Sequence, residues 1–303
     1  MGKESKATAY NERFRNTWLA VIFGVIPFLS FGQSIENNSL SDDFEFTLYL
    51  LENKLYDDAS TLLNRNSILP DSISSLDSLN YLKGWVSYSK KELNDAVSFF
   101  DAVSPLSVFY PKSVFFSALS SSHLGDYAQA KSKLISFSDT SFLYKELYAF
   151  EMAGIALLER DFSAFDHYSK DFSFQTFYLA QQQKELLSIR EAFAKQKKKS
   201  MWVAGVSSAI VPGLGKIYTG HLGEGIASFL TVGGFAAITA ENWIKAGPAN
   251  WKTIVFGSLG LIFYIGNIYG SIASVKVYYN EFNQRQVYAI LYSIHIPLRT
   301  VFN

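Results

Sequence analysis

Hydrophobic positions along residues 42–199 recur at spacings of three and four, the period of an amphipathic helix, with little of the alternation that marks a strand. Only three prolines and few glycines fall in that stretch, which agrees with helices rather than strands. The pattern changes at residue 200. Apolar residues then fill three runs, 201–211, 225–243 and 253–277, and a glycine-dense segment, S-A-I-V-P-G-L-G-K-I-Y-T-G-H-L-G-E-G over 208–225, lies between the first two. At a rise of about 1.5 Å per residue the third run is long enough to cross a bilayer and the second is sufficient. The first is short and ends at Pro212-Gly213, so it is either a span broken near its end or a helix that turns back. The expected fold is all-α, a helical-repeat array followed by a helical transmembrane module.

Within the first part the helices read as pairs. Gly84 leads to Ala96, and Ala118 to Ala130, across the same interval of twelve residues, which lets two helices close tightly. Ala59, Ala96, Ala130 and Ala164 follow one another at steps of 37, 34 and 34. On these steps, and on G-D-Y-A-Q-A at 125–130, Y-D-D-A at 56–59 and L-N-D-A at 93–96, residues 40–172 resemble the tetratricopeptide-repeat family. The fourth copy, R-D-F-S-A-F at 160–165, fits only with a slip of one residue. The resemblance implies stacked helix pairs with a concave surface for a partner peptide. In the 34-residue register Tyr81, Trp85, Tyr88, Lys112, Phe115 and Ser122 line that surface, although Trp85 also belongs to an apolar stripe with Leu82 and Val86 that reads as core. The serine-rich stretch 66–79, with Pro70, reads as a surface loop. Residues 173–199 read as one connecting helix that runs directly into Met201.

At the N-terminus Lys3, Lys6, Arg13 and Arg15 precede an apolar segment at 18–31, with small residues where a signal peptidase cuts. Residues 1–32 are therefore read as a signal peptide or an N-terminal anchor, and the chain beyond residue 32 as exported. The cluster of Lys195, Lys197, Lys198 and Lys199 then lies on the outer side, against the positive-inside tendency. The expected location is the bacterial inner membrane with the repeats in the periplasm. With three spans the tail at 281–303 is cytoplasmic; with a first segment that turns back and two spans it is periplasmic.

The apolar third carries Pro-Gly-x-Gly-x-x-Tyr-x-Gly, here Pro212, Gly213, Gly215, Tyr218 and Gly220, and later Gly-Asn-x-Tyr-Gly, here Gly266, Asn267, Tyr269 and Gly270. With this pair of motifs residues 200–280 resemble a family of small bacterial envelope modules, often encoded beside, or joined to, the membrane-protein insertion efficiency factor. That neighbourhood implies a role in envelope protein biogenesis. Lys216 stands where the family more commonly has Gln. Gly266 and Gly270, four apart, are expected to bring two helices together, with Asn267 bonding across the contact. In the rival reading Asn267, Tyr218, His221 and Glu224 line a polar path.

Charge and chemistry remove several classes. Lys plus Arg and Asp plus Glu both total 27, so nothing calls for nucleic acid. There is no cysteine, the four histidines lack metal-binding spacing, and Gly215-Lys216 lacks the glycine and the Ser or Thr of a phosphate loop. The chain is therefore expected to be non-enzymatic, without metal or cofactor. It reads as a membrane-anchored scaffold whose partners are envelope proteins and the lipid bilayer, with helix–helix contacts to other membrane proteins. The alternative is a regulatory or pore-forming component of a small-solute transporter.

Overall fold

The computed structural model describes residues 40–64, 73–138 and 141–302; the expected signal or anchor at 1–32 lies outside them. All regular structure among the described residues is helical, as the periodicity requires. Four helix pairs come first: α1 (Leu40–Glu52) with α2 (Tyr56–Leu63), α3 (Ile73–Ser89) with α4 (Leu93–Asp101), α5 (Tyr110–Leu124) with α6 (Tyr127–Ser136), and α7 (Phe142–Glu159) with α8 (Phe162–Tyr168). Then comes α9 (Phe177–Lys195).

Small residues set how closely the pairs approach. The fourth residue of α2, α4 and α6 is Ala59, Ala96 and Ala130, each without exposed surface. In α8 that position is Phe165, buried, while Ala164 is only partly buried, which is the one-residue slip of the fourth copy. A Cβ on Gly84 would stand 2.6 Å from the ring of Phe100, so α3 and α4 touch through glycine. The four turns inside the pairs share one device. Lys54, Lys91, Gly125 and Arg160 all take left-handed backbone, with φ of 60°, 65°, 82° and 64°, and so close each first helix. Asp126 and Asp161 then cap α6 and α8, accepting from the backbone N–H of Gln129 and Ala164 at 2.9 Å.

Two boundaries differ from expectation. The stretch expected as a loop over 66–79 is already helical from Ile73, because Asp77 is buried and accepts from the Ser104 N–H at 2.9 Å while Leu79 enters the core. The connecting helix does not reach Met201. It ends at Lys195, and residues 196–200 run non-helically because other partners draw their backbone away. The Lys199 N–H donates to the Tyr279 phenol at 2.8 Å, and the Ser200 N–H to the Tyr218 phenol at 3.2 Å.

The last third consists of α10 (Met201–Ile210), α11 (Leu214–Thr219), α12 (Leu222–Ala246) and α13 (Trp251–Val301). Helices α12 and α13 are antiparallel, with Phe235 stacked on Phe263 at 5.1 Å, and both are long and apolar enough to cross a membrane. Few of their residues are buried within the protein, and Leu230 and Ile262 are each 65 % exposed. A soluble core helix buries such side chains. Helix α10 runs down α13 from the level of Tyr279 to that of Tyr264, whose hydroxyl donates to the Ala209 carbonyl at 2.6 Å. The chain reverses at Val211-Pro212-Gly213, with Gly213 at φ 90°, and α11 climbs back until Thr219 meets Ser274. The first apolar run therefore turns back partway along the hairpin.

Helix α13 has 51 residues and a length of about 77 Å. No break occurs at 281, where the change in hydropathy marks a separate tail in the sequence. The helix leaves the hairpin and continues into the array, where Ile290, Leu291, Ile294 and Leu298 join its hydrophobic core. Their spacing of one, three and four is one helical stripe, so the array supplies the apolar surface that this segment needs.

Candidate functional site

Two places bring together residues singled out in the sequence: the hollow of the array and a polar seam in the hairpin. In the hollow, Tyr81 and Trp85 of α3 frame Lys112, whose ammonium lies 5.3 and 4.5 Å from their ring centres. That ammonium donates to the Phe302 carbonyl at 2.8 Å, closing the end of α13. The ring of Phe302 sits 5.8 Å from Phe115 and 6.1 Å from Tyr144, and His295 meets Tyr88 edge-on at 5.9 Å. Gly154 is the clearest accommodation. A Cβ there would stand 2.3 Å from Ile294 Cγ2, so only glycine lets α13 lie against α7. Of the six residues expected to line a partner groove, Tyr88, Lys112 and Phe115 contact the chain's own C-terminal segment. Tyr81 stacks on Phe109 and Trp85 meets Phe116 edge-on, while buried Ser122 donates to the Ala118 carbonyl of its own helix.

Burial shapes the titration of this hollow. Desolvation, aided by Arg299, pushes the Lys112 ammonium down to about 8, and burial with Arg299 and His123 brings His295 down to about 4. Glu151 is fully enclosed, its Oε1 has no hydrogen-bond partner, and burial raises it well above the carboxylate range. Glu146 behaves in the opposite way. Burial would raise it too, but Ser173, Thr176 and Gln183 all donate to it and together hold it below its ordinary value.

In the hairpin, Tyr264, Asn267, Ser271, Ser274 and Tyr278 form a polar stripe at steps of three and four along α13. Ser208 of α10 shares a hydrogen bond with Ser271 at 2.7 Å and accepts from the Gly215 N–H at 2.8 Å. Thr219 donates to Ser274 at 2.9 Å. These serines and the threonine were not among the expected site residues, although the stripe was visible to a helical count. Asn267 is buried and reaches the Ser208 carbonyl only at 3.5 Å, and its Oδ1 has no partner. Lys199 is fixed as well, donating to the Tyr218 carbonyl at 2.8 Å over the Tyr218 ring.

The motif glycines have unequal duties. Cβ atoms on Gly213 and Gly215 would fall 2.0 Å from the Gly225 carbonyl oxygen and 2.1 Å from that of Ala204, so these two permit the tight reversal, and Gly220 takes φ 99° at the next turn. Gly266 does not act as expected. Nothing lies within 4 Å of where its Cβ would be, and at Gly270 the nearest atom is the Lys216 Cε at 3.5 Å. Pro212 is half-buried at the reversal and Tyr269 is 75 % exposed.

The four residues of the polar-path reading do not converge. Tyr218 serves the strap at 199–200, and His221 faces Thr219 at 3.1 Å and Glu281 at 3.8 Å. Asn267 and Glu224 instead line a groove of about 480 Å³ together with Lys216 and Ser228, and the groove continues between Val232 and Phe263. Neither the family models, the curated proteins nor the solved structures contain a match to this chain.

Proposed function

We propose that this chain is a membrane-anchored scaffold of the bacterial envelope, a tetratricopeptide-like array held against the inner membrane by its glycine-rich hairpin. The observation that carries this reading is α13, one uninterrupted helix that belongs to the apolar hairpin at one end and to the core of the array at the other. Anchor and array are thereby one piece, an arrangement suited to holding a partner at a fixed height. Because 287–302 pack on the repeats, the array and the end of α13 share one side of the bilayer, and the described residues cross it twice. With residues 1–32 as an export signal, that side is the periplasm. The resemblance of the hairpin to modules found beside the insertion efficiency factor supports a role in envelope protein biogenesis.

The hollow is filled in cis, so the surface offered to a protein partner lies elsewhere. Helices α5, α7 and α9 all begin on the rim where Phe302 ends, about 30 Å along α13 from Phe282, which packs on Phe193 near the end of α9. On that distal rim Leu106, Phe142 and Phe177 are exposed by 97, 69 and 88 %. Photocrosslinkers at these positions in intact membranes should each give the same discrete heavier adduct, while one at Trp85 should capture only the chain's own C-terminal peptide. A rim that yields no adduct, or a Trp85 position that yields a foreign one, rejects the rim as the partner surface.

A further inference from the structure

The groove beside Gly266 has a charge order. Lys216 is mostly enclosed, packed on Gly270, six residues or about 9 Å along α13 from Lys276. Its ammonium donates to Ser228 at 3.1 Å and lies 3.8 Å from Glu224, too far for a hydrogen bond, so donor capacity is left over. Glu224 is more exposed, one helical turn nearer the start of α12. On the other side of Lys216 the groove turns apolar, along Val232, Ile262 and Phe263. An ammonium at such depth is costly unless it has a use.

Gly266 is the second observation. Other open glycines of the hairpin, such as Gly233 and Gly234, are not part of this groove; Gly266 is, and neither close packing nor its backbone angle calls for a glycine there. What its missing side chain leaves is room in the groove, next to buried Asn267. Carboxylate, ammonium and apolar trough thus follow one another from the array side toward the middle of the hairpin. That sequence complements one phospholipid in the leaflet facing the array.

We propose that this groove holds a single phospholipid with an ethanolamine head, its phosphodiester on Lys216, its primary amine on Glu224 and an acyl chain along Val232, Ile262 and Phe263. The proposal rests on the hairpin being within a bilayer. A glycerol head offers the same phosphodiester but no cation, and Glu224 discriminates against it.

The test uses the full-length protein, reconstituted in vesicles of equal phosphatidylethanolamine and phosphatidylglycerol, taken into mild detergent and weighed by native mass spectrometry. The wild type is expected to retain one ethanolamine lipid. Lys216→Met is expected to lower occupancy about tenfold, the scale of one charge-assisted hydrogen bond, and Gly266→Leu, which fills the trough without touching a charge, to lower it by a similar factor through steric exclusion. Glu224→Gln should keep a lipid but lose the preference for ethanolamine. Retention unchanged in Gly266→Leu, or equal retention of both lipids by the wild type, overturns the proposal. Extraction of the wild type by alkaline carbonate overturns instead the membrane reading beneath it.

Discussion

Single residues fix both the turns of the array and its response to pH. Lys54, Lys91 and Arg160 hold the left-handed backbone that Gly125 takes freely, and each carries a steric cost of about 1–2 kcal/mol. Lys91→Gly should therefore raise stability by about 1 kcal/mol and Gly125→Ala should lower it by a similar amount, read as shifts in thermal unfolding in detergent. Glu151 predicts a slope. Its native pKa lies above the unfolded value, so the unfolded state loses its proton first, and stability falls as pH rises from the ordinary carboxylate range to the raised native value. Glu151→Gln should flatten denaturant midpoints across that window and be the more stable protein at pH 7. Glu146 has the reverse sign. Its contribution is present above the ordinary carboxylate pKa and is lost as pH falls through the lowered native value, and Glu146→Gln should cost about 1–3 kcal/mol at neutral pH.

At the scale of elements, the decisive contact is α13 in the hollow of the array. Gly154→Val should push Ile294 away and speed amide exchange over residues 287–302, while α12 keeps its protection; uniform protection across both segments would contradict the docking. This contact is hard to read from sequence. The stripe of Ile290, Leu291, Ile294 and Leu298 has a clear helical period, but Pro297 interrupts it, and a proline inside a helix ordinarily costs about 3 kcal/mol. Packing in the core carries the helix through. The pairing also joins positions 190 residues apart, Lys112 and Phe302, beyond the reach of any local pattern. Local signals fare better. Ala59, Ala96 and Ala130 mark the helix pairs because close approach demands a small side chain, and Gly213 marks the reversal because its backbone demands no side chain at all. The seam of Ser208, Ser271 and Ser274 is less legible, since serine serves caps, loops and buried bonds alike.

For the whole molecule, the packing of α9 along the last part of α13 sets topology. Reporters placed after Lys195 and after Phe302 should register the same side of the membrane, and one in the 247–250 turn the opposite side. Opposite signals from the first two would exclude the docked helix. The apolar runs make the hairpin legible in outline, but length alone leaves open whether the first run crosses. The answer lies in tertiary hydrogen bonds, Tyr264 to Ala209 on the way down and Thr219 to Ser274 on the way back.

The filling of the hollow by the last turns of α13 also sets an order of events during synthesis. A ribosome adding about 5–20 residues per second makes Lys112 roughly 10–40 s before Phe302 exists to meet it. Once made, Tyr88, Phe115 and Tyr144 stand uncovered until the end of α13 follows them. Nascent repeats of this protein therefore need either a temporary cover or a delay in collapse, and a chain stalled short of Ile294 should be the form that aggregates or is degraded.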